Sequence, residues 1–234
     1  MPRDLTAAVL GATPEYRDML FELGFTNVLL LDNNASFVNR MTPLRVHANS
    51  ERLLLGDWLE SLETLRGSLG VVLSDLTSGN LTYEQRPEFY GRIESALVAG
   101  GVFCDKILTH PTAHLSSSEL ATAYEDQPLN LQTANRFSCE MLFCSDLLDE
   151  KECVDTERFY DRIEAEFASP RLKAISRLAQ YVTPRGMRWF YGRSWRDLQL
   201  SYCTGLKLGR QADDETTSPY IGRLNLFVFE KGLR

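Results

Sequence analysis

The sequence predicts an α/β fold, a doubly wound and mostly parallel sheet with a closing antiparallel strand and a helical insertion. Three observations carry this expectation. Short apolar runs alternate with helical segments as far as Leu108, the order of elements that builds a parallel sheet. The run at 27–31 (NVLLL) is almost wholly apolar, as expected of a strand covered on both faces. The tail instead alternates over Leu224, Leu226, Val228 and Glu230, the period of an antiparallel strand.

The first strand is read at Thr6–Leu10 (TAAVL), ending on Gly11. The helix that follows has Thr13 as cap, Pro14 at its first position, Glu15 near the positive dipole end and Gly24 as its stop. The strand at 27–31 ends on Asp32. ASFVNRM supplies a short helix, RLLLG a third strand, WLESLETLRG a connector, and GVVLSD a fourth strand ending on Asp75. A longer helix is expected over Arg86–Ala99, with Phe89, Ile93 and Leu97 on one face. Gly100-Gly101 stop it, and GVFCDKIL is the fifth strand.

Beyond Thr109 the texture becomes helical, and a boundary is expected near His110. Ser116 or Ser117 ahead of Glu119, and Asp155 with Thr156, read as helix caps. The organisation expected is a cofactor-binding Rossmann-like half over 1–109 and a mainly helical substrate cap over 110–200. A C-terminal hairpin over 201–234 (LQLSYCTGLKLGR, then RLNLFVFEK) completes the sheet.

Composition narrows the function classes. With 44% hydrophobic and 24% charged residues, the chain matches an ordinary globular protein. Its formal charge of -7 argues against the basic surface of a nucleic-acid binder. No apolar run is long enough for a membrane span and no signal peptide is legible at the start, so a cytosolic (cytoplasmic) protein is expected. The five cysteines show no CxxC pair, so neither a disulfide framework nor a metal site is indicated.

In an open parallel sheet, ligands bind beyond the carboxyl ends of the strands. Four polar strand ends occur in order: Gly11-Ala12-Thr13, Asp32-Asn33-Asn34, Gly56-Asp57-Trp58 and Asp75-Leu76-Thr77-Ser78. A carboxylate at the second of these is placed to accept hydrogen bonds from a ribose diol. Asp57 is a candidate partner for an adenine amino group, with the Trp58 ring beside it. Each residue also has a plain structural reading: Gly11 as a strand end, Asp32 as a cap, Asp57 as a turn residue, Trp58 as core.

The series VLGATPEYRDML, NVLLLDNNASFVNRM, LLLGDWLES, VVLSDLTSGNLT and ALVAGGVFCDKI resembles the successive motifs of class I S-adenosylmethionine-dependent methyltransferases. The resemblance spans residues 6–108. It implies S-adenosylmethionine as cofactor, with its methionine part at Gly11, Ala12 and Thr13, its ribose at Asp32, and Asn33 among the cofactor contacts. It also implies adenine at Asp57 and Trp58, and the reacting methyl near Asp75 and Leu76. The family's glycine-rich first loop is reduced here to one glycine in GATP, and the chain begins only a few residues before the first strand.

Methyl transfer relies on alignment and exclusion of water more than on a fixed catalytic signature. Candidate catalytic residues are His110 and His114 in LTHPTAHL and Tyr83 after the fourth strand. Candidate substrate contacts are Asn80 and, in the aromatic and basic stretch TPRGMRWFYGRSW, Arg188, Trp189, Tyr191 and Arg193. The acceptor expected is a small molecule, O- or N-methylated in secondary metabolism. A homodimer is compatible; nucleic acid and membrane are not expected partners. Three rivals stay open: transfer or cyclisation of the aminocarboxypropyl arm of the same cofactor, a nicotinamide dehydrogenase lacking the remaining glycines of GxGxxG, and a non-catalytic cofactor-binding module.

Overall fold

A computed structural model describes residues 3–47, 51–108, 115–144, 146–149, 153–190, 200–213 and 224–233. The chain opens with β1 (Thr6–Leu10), α1 (Pro14–Glu22), β2 (Val28–Asp32), α2 (Ala35–Met41), β3 (Arg52–Leu55) and α3 (Trp58–Glu63). It continues with β4 (Leu69–Asp75), a 3-10 turn (Thr77–Asn80), α4 (Arg86–Ala96) and β5 (Leu97–Leu108). Next come α5 (Ser117–Tyr124), α6 (Leu131–Met141), β6 (Cys153–Asp155), α7 (Thr156–Glu166) and α8 (Pro170–Ala179). β7 (Arg188–Phe190), β8 (Leu206–Asp213) and β9 (Leu224–Lys231) follow.

Seven strands form one sheet in the order β3-β2-β1-β4-β5-β9-β8. β1 pairs parallel with β2 and β4, β2 with β3, and β4 with β5. The antiparallel component lies toward the C-terminal edge. From β1 the chain first adds strands on one side and then returns to add β4 on the other, so the direction of winding reverses between β1 and β4. The carboxyl ends at that reversal form the crevice in which open α/β sheets hold ligands. β1, β2 and β4 are buried along nearly their whole length, which is why their sequences are apolar on both faces.

Local chemistry sets the element ends. Asn34 starts α2 by accepting the Phe37 N–H at 3.0 Å, and Ser116 with Glu119 form a reciprocal capping box at α5. The expected glycine stop at Gly100-Gly101 falls inside β5: α4 already ends at Ala96 and the strand starts at Leu97. The pairing of β4 with β5 jumps from Leu69↔Leu97 to Val71↔Val102, and the glycines absorb that jump. Gly100 has a φ of +73°. A Cβ on Gly101 would lie 2.9 Å from the Val98 carbonyl oxygen and 3.2 Å from that of Leu69.

The C-terminal strand differs from the expected register of burial. Its covered residues are Asn225, Phe227 and Phe229, whereas Leu224, Leu226 and Val228 are only half-buried. The rings carry the reason: Phe229 stacks on Phe227 and on Phe103 of β5, with centroids 6.0 Å apart in both cases. In the stretch expected to begin a strand at Leu198, the described residues Leu200–Tyr202 are helical and β8 begins at Leu206.

The chain divides into two compact units, one of Met1–Ile107, Asp197–Ala212 and Asn225–Arg234, the other of Leu108–Arg196 and Asp213–Leu224. The second is built on α5 to α8, with Tyr124, Phe137, Phe159 and Tyr160 in ring contact at its centre. It also contains an antiparallel β6–β7 pair, Cys153↔Phe190 to Asp155↔Arg188, which the helical texture of this region does not announce. Three-residue strands are too short to display a period.

Because the space at Gly101 is closed by backbone, Gly101→Ala is expected to destabilise the fold by about 1–3 kcal/mol. Gly79, whose Cβ direction is open, serves as comparison: Gly79→Ala stays close to the parent in urea unfolding. Equal midpoints for the two variants would contradict this account of β5.

Candidate functional site

The carboxyl ends of β1, β2 and β4 converge through hydrogen bonds that the sheet ladder does not require. Gly11, at a φ of +88°, turns the chain out of β1 while its N–H still reaches the Leu31 carbonyl at 2.9 Å. That carbonyl also accepts the Trp58 indole N–H at 3.0 Å, so the end of β2 ties the first loop to the start of α3. Among the described residues other than its two chain neighbours, no atom lies within 4 Å of the position a Gly11 Cβ would take, which leaves room for a group to approach the backbone.

Asp32 ends β2 and is 4% exposed. Its carboxylate accepts the Asn34 N–H at 2.7 Å and takes further backbone N–H bonds from Ala12 and Asn33. Burial raises its pKa, and these amides oppose the rise. Asn33 is exposed. Asp57 is exposed and caps α3, accepting from Leu59 N–H at 2.8 Å and Glu60 N–H at 3.4 Å.

Asp75, ending β4, accepts the Thr13 hydroxyl at 2.9 Å and pairs with Lys106 Nζ at 2.5 Å. Thr13 therefore leaves α1 without the side-chain cap expected of it, because its hydroxyl is turned across the sheet end to Asp75. Lys106 Nζ also stands 5.4 Å from the centroid of the Tyr16 ring. Burial, with Asp75 next, pushes the Tyr16 hydroxyl well above its ordinary pKa. Leu76 takes a left-handed conformation, φ 59° and ψ 14°, unusual for a branched residue. Its N–H is held by the Lys106 carbonyl at 2.9 Å, and Thr77 Oγ1 donates to the Leu10 carbonyl at 3.1 Å.

The turn after β4 rests on buried polar groups. Arg86, fully buried, donates from Nε to the Ser78 and Leu81 carbonyls at 3.2 Å each. Its guanidinium lies 4.2 Å from the centroid of the Tyr83 ring. Asn80 is exposed and folds back on the turn, 3.4 Å from the Leu76 and Thr77 carbonyls. Beneath lies Asp105 on β5, also fully buried, accepting from Ser74 Oγ at 2.6 Å and from the Tyr90 hydroxyl at 2.9 Å. Burial first and Asp105 second drive the Tyr90 hydroxyl far above its ordinary pKa.

Gly11, Ala12, Thr13, Asp32, Asp75 and Leu76 are thus linked at one edge of the sheet, with Trp58 bonded to the same edge. Arg188 and Trp189 belong to the second unit, on β7. His110, His114, Tyr191 and Arg193 lie outside the described residues. Sequence reasoning missed Arg17, Lys106, Arg86 and Asp105. The available signal was charge within apolar surroundings: Asp105-Lys106 interrupt FCDKIL, and Arg17 shares the buried face of α1 with Pro14 and Leu20.

No family model matches the sequence, and no curated protein matches it. Solved structures match its fold. A Methanosarcina mazei chain named as a SAM-dependent methyltransferase has a TM-score of 0.57 at 12% identity, over 100% of this chain and 95% of its own. A Mesorhizobium loti S-adenosylmethionine-dependent methyltransferase has a TM-score of 0.53 at 13% identity, covering 99% and 94%. A Rhodobacter sphaeroides chain named as a Zn-dependent alcohol dehydrogenase has 0.56 at 15%, covering 97% and 84%. The fold is the Rossmann-like one of class I S-adenosylmethionine-dependent methyltransferases. Among the described residues no three His, Cys, Asp or Glu side chains gather as a metal site, and no helix is long and apolar enough to cross a membrane.

The raised pKa of Asp32 makes its burial a pH-dependent cost. The folded state favours the protonated acid, so this contribution to stability is present below the ordinary value of 3.8 and is lost as pH rises through the raised folded value. Asp32→Asn is therefore expected to gain stability relative to the parent as pH rises from about 3 to 7. Denaturant midpoints of both proteins across that range provide the check, and a difference that moves the other way would contradict it.

Proposed function

We propose that the chain is an S-adenosylmethionine-dependent methyltransferase that moves a methyl group to an O or N nucleophile of a small molecule. The observation that supports this most is the linked edge at Gly11, Asp32 and Asp75, set at the reversal of winding of a sheet whose fold matches solved methyltransferases.

The residues present suit the cofactor. The open side of Gly11 and the small side chain of Ala12 admit the methionine part against the backbone at the start of α1. Asp32 is already desolvated, and a carboxylate holding backbone N–H groups retains acceptor capacity for a ribose diol. Asp57 and Trp58 stand at the next strand end for the adenine. When bound, the sulfonium supplies an activated methyl group for in-line displacement.

The chain's own part is to orient and to exclude water. Asp75, neutralised by Lys106 and fixed by Thr13, keeps the end of β4 rigid, and Leu76 and Asn80 shape the turn beside the reacting centre. Tyr83 carries an aromatic ring in that turn with the Arg86 guanidinium already 4.2 Å from its centroid, and its place beside the reacting centre makes it the candidate aromatic contact there. His110 and His114 are the candidate bases for an acceptor that arrives protonated, and Arg188, Trp189, Tyr191 and Arg193 the candidate acceptor contacts.

Calorimetric titration with S-adenosylhomocysteine tests the reading directly. Asp32→Ala is expected to weaken binding by about 1–3 kcal/mol, the scale of lost hydrogen bonds to a charged group, and unchanged binding would sink the assignment of this carboxylate. Product analysis separates the chemistries: S-adenosylhomocysteine marks methyl transfer, whereas methylthioadenosine marks transfer of the aminocarboxypropyl arm.

A further inference from the structure

A glycine-rich loop takes its shape from backbone freedom, and this chain has one glycine where several would supply it. Something else must hold the peptide between Ala12 and Thr13. The structure shows what does. The Ala12 N–H is taken by Asp32, and the Ala12 carbonyl accepts Arg17 Nη1 at 3.3 Å. Thr13 is anchored separately through Asp75.

Arg17 lies one turn into α1 and is fully buried. Its other two nitrogens are also bonded: Nε meets Glu51 Oε2 at 3.0 Å, and Nη2 meets Thr42 Oγ1 at 2.9 Å and the second Glu51 oxygen. Glu51 is shared with Arg45 Nη1 at 3.2 Å. Arg45 in turn stands 3.5 Å from Asp18, whose carboxylate holds the Val46 and His47 N–H groups. A buried ion pair of this kind is commonly no more stable than well-packed apolar residues in its place. Stability alone therefore does not account for a guanidinium here. What an apolar residue of similar length cannot do is donate to the Ala12 carbonyl while staying locked to Glu51.

We propose that Arg17 is a positioning residue that fixes the Ala12–Thr13 peptide for the aminocarboxypropyl arm of the cofactor, doing with a side chain what additional glycines do in other loops. The proposal rests on the cofactor reading above. It locates the effect of Arg17 at one end of the ligand, because the ribose and adenine positions are set by Asp32, Asp57 and Trp58.

Two ligands separate the ends of the site. S-adenosylhomocysteine carries the arm; 5′-methylthioadenosine keeps the adenosine and the sulfur without it. In calorimetric titrations of the full chain, Arg17→Met is expected to lower affinity for S-adenosylhomocysteine about five- to tenfold while changing affinity for methylthioadenosine less than about twofold. Arg17→Lys keeps a cation against Glu51, which protects folding, but one ammonium does not reach the span of acceptors that the guanidinium serves. It is expected to show the same selectivity for the arm, at smaller size. Equal losses for both ligands in both variants would reduce Arg17 to a structural ion pair, and no loss for either would remove it from the site. A parent chain that binds neither ligand would overturn the cofactor reading itself.

Discussion

Burying the Asp32 carboxylate at the end of β2 obliges the surrounding backbone to supply its hydrogen bonds, and much of the sheet's carboxyl edge is arranged accordingly. Amides from Ala12, Asn33 and Asn34 converge on it, which fixes the loop leaving β1 and the turn entering α2 together. The carbonyls nearby are used in the same way: Leu31 accepts from Gly11 and Trp58, and the Asp32 carbonyl accepts the Gly56 N–H at 3.0 Å. Three connections that are distant in sequence thus share one polar junction.

The junction is unfavourable in the terms that govern folding. Asp32 is held in surroundings that favour its neutral form, Leu76 sits in a left-handed conformation, and Arg17 and Arg86 are fully buried cations. Strain and desolvation of this sort persist where the surrounding structure over-determines them, and they cluster at binding sites. The amino ends of the same strands are built differently. There Leu5 fills the space beside Gly70, and Lys231 closes the end of α4 by donating to the Glu94 and Leu97 carbonyls at 2.7 Å. Both ends are well connected, but the fully buried guanidinium groups lie toward the carboxyl end.

The sequence displayed those parts of the fold whose physics is local. Strands β1, β2 and β4 are legible because both faces are buried and the runs are apolar throughout; α1 is legible from Pro14 and Gly24, and Asp32 and Asp75 from their places at strand ends. What stayed hidden depends on partners far along the chain. The covered face of β9 is the aromatic one because Phe229 finds Phe103, and no period within RLNLFVFEK distinguishes Phe227 and Phe229 from Leu226 and Val228. Arg17 and Lys106 were missed for the same reason: their meaning lies in Glu51 and Asp75, 34 and 31 positions away. The β6–β7 pair is a further case, joining two triplets that only pairing makes into strands.

The one-glycine loop also trades one unfavourable contribution for another. Glycines reach unusual conformations without strain but lose the most conformational freedom when they are ordered. Ala12 and Thr13 in their place lower that entropic loss and restrict the loop before any ligand arrives, while Arg17 is buried with Glu51 as its counter-charge and Asp18 balances the Arg45 that shares Glu51. The loop's shape then depends on Thr42, Arg45 and Glu51, which lie between β2 and β3 in the chain and are not among the strand ends proposed to hold the cofactor. A pre-organised loop binds with less ordering cost, so the ion network around α1 and the ligand-facing edge of the sheet act as one device rather than as separate features of stability and of recognition.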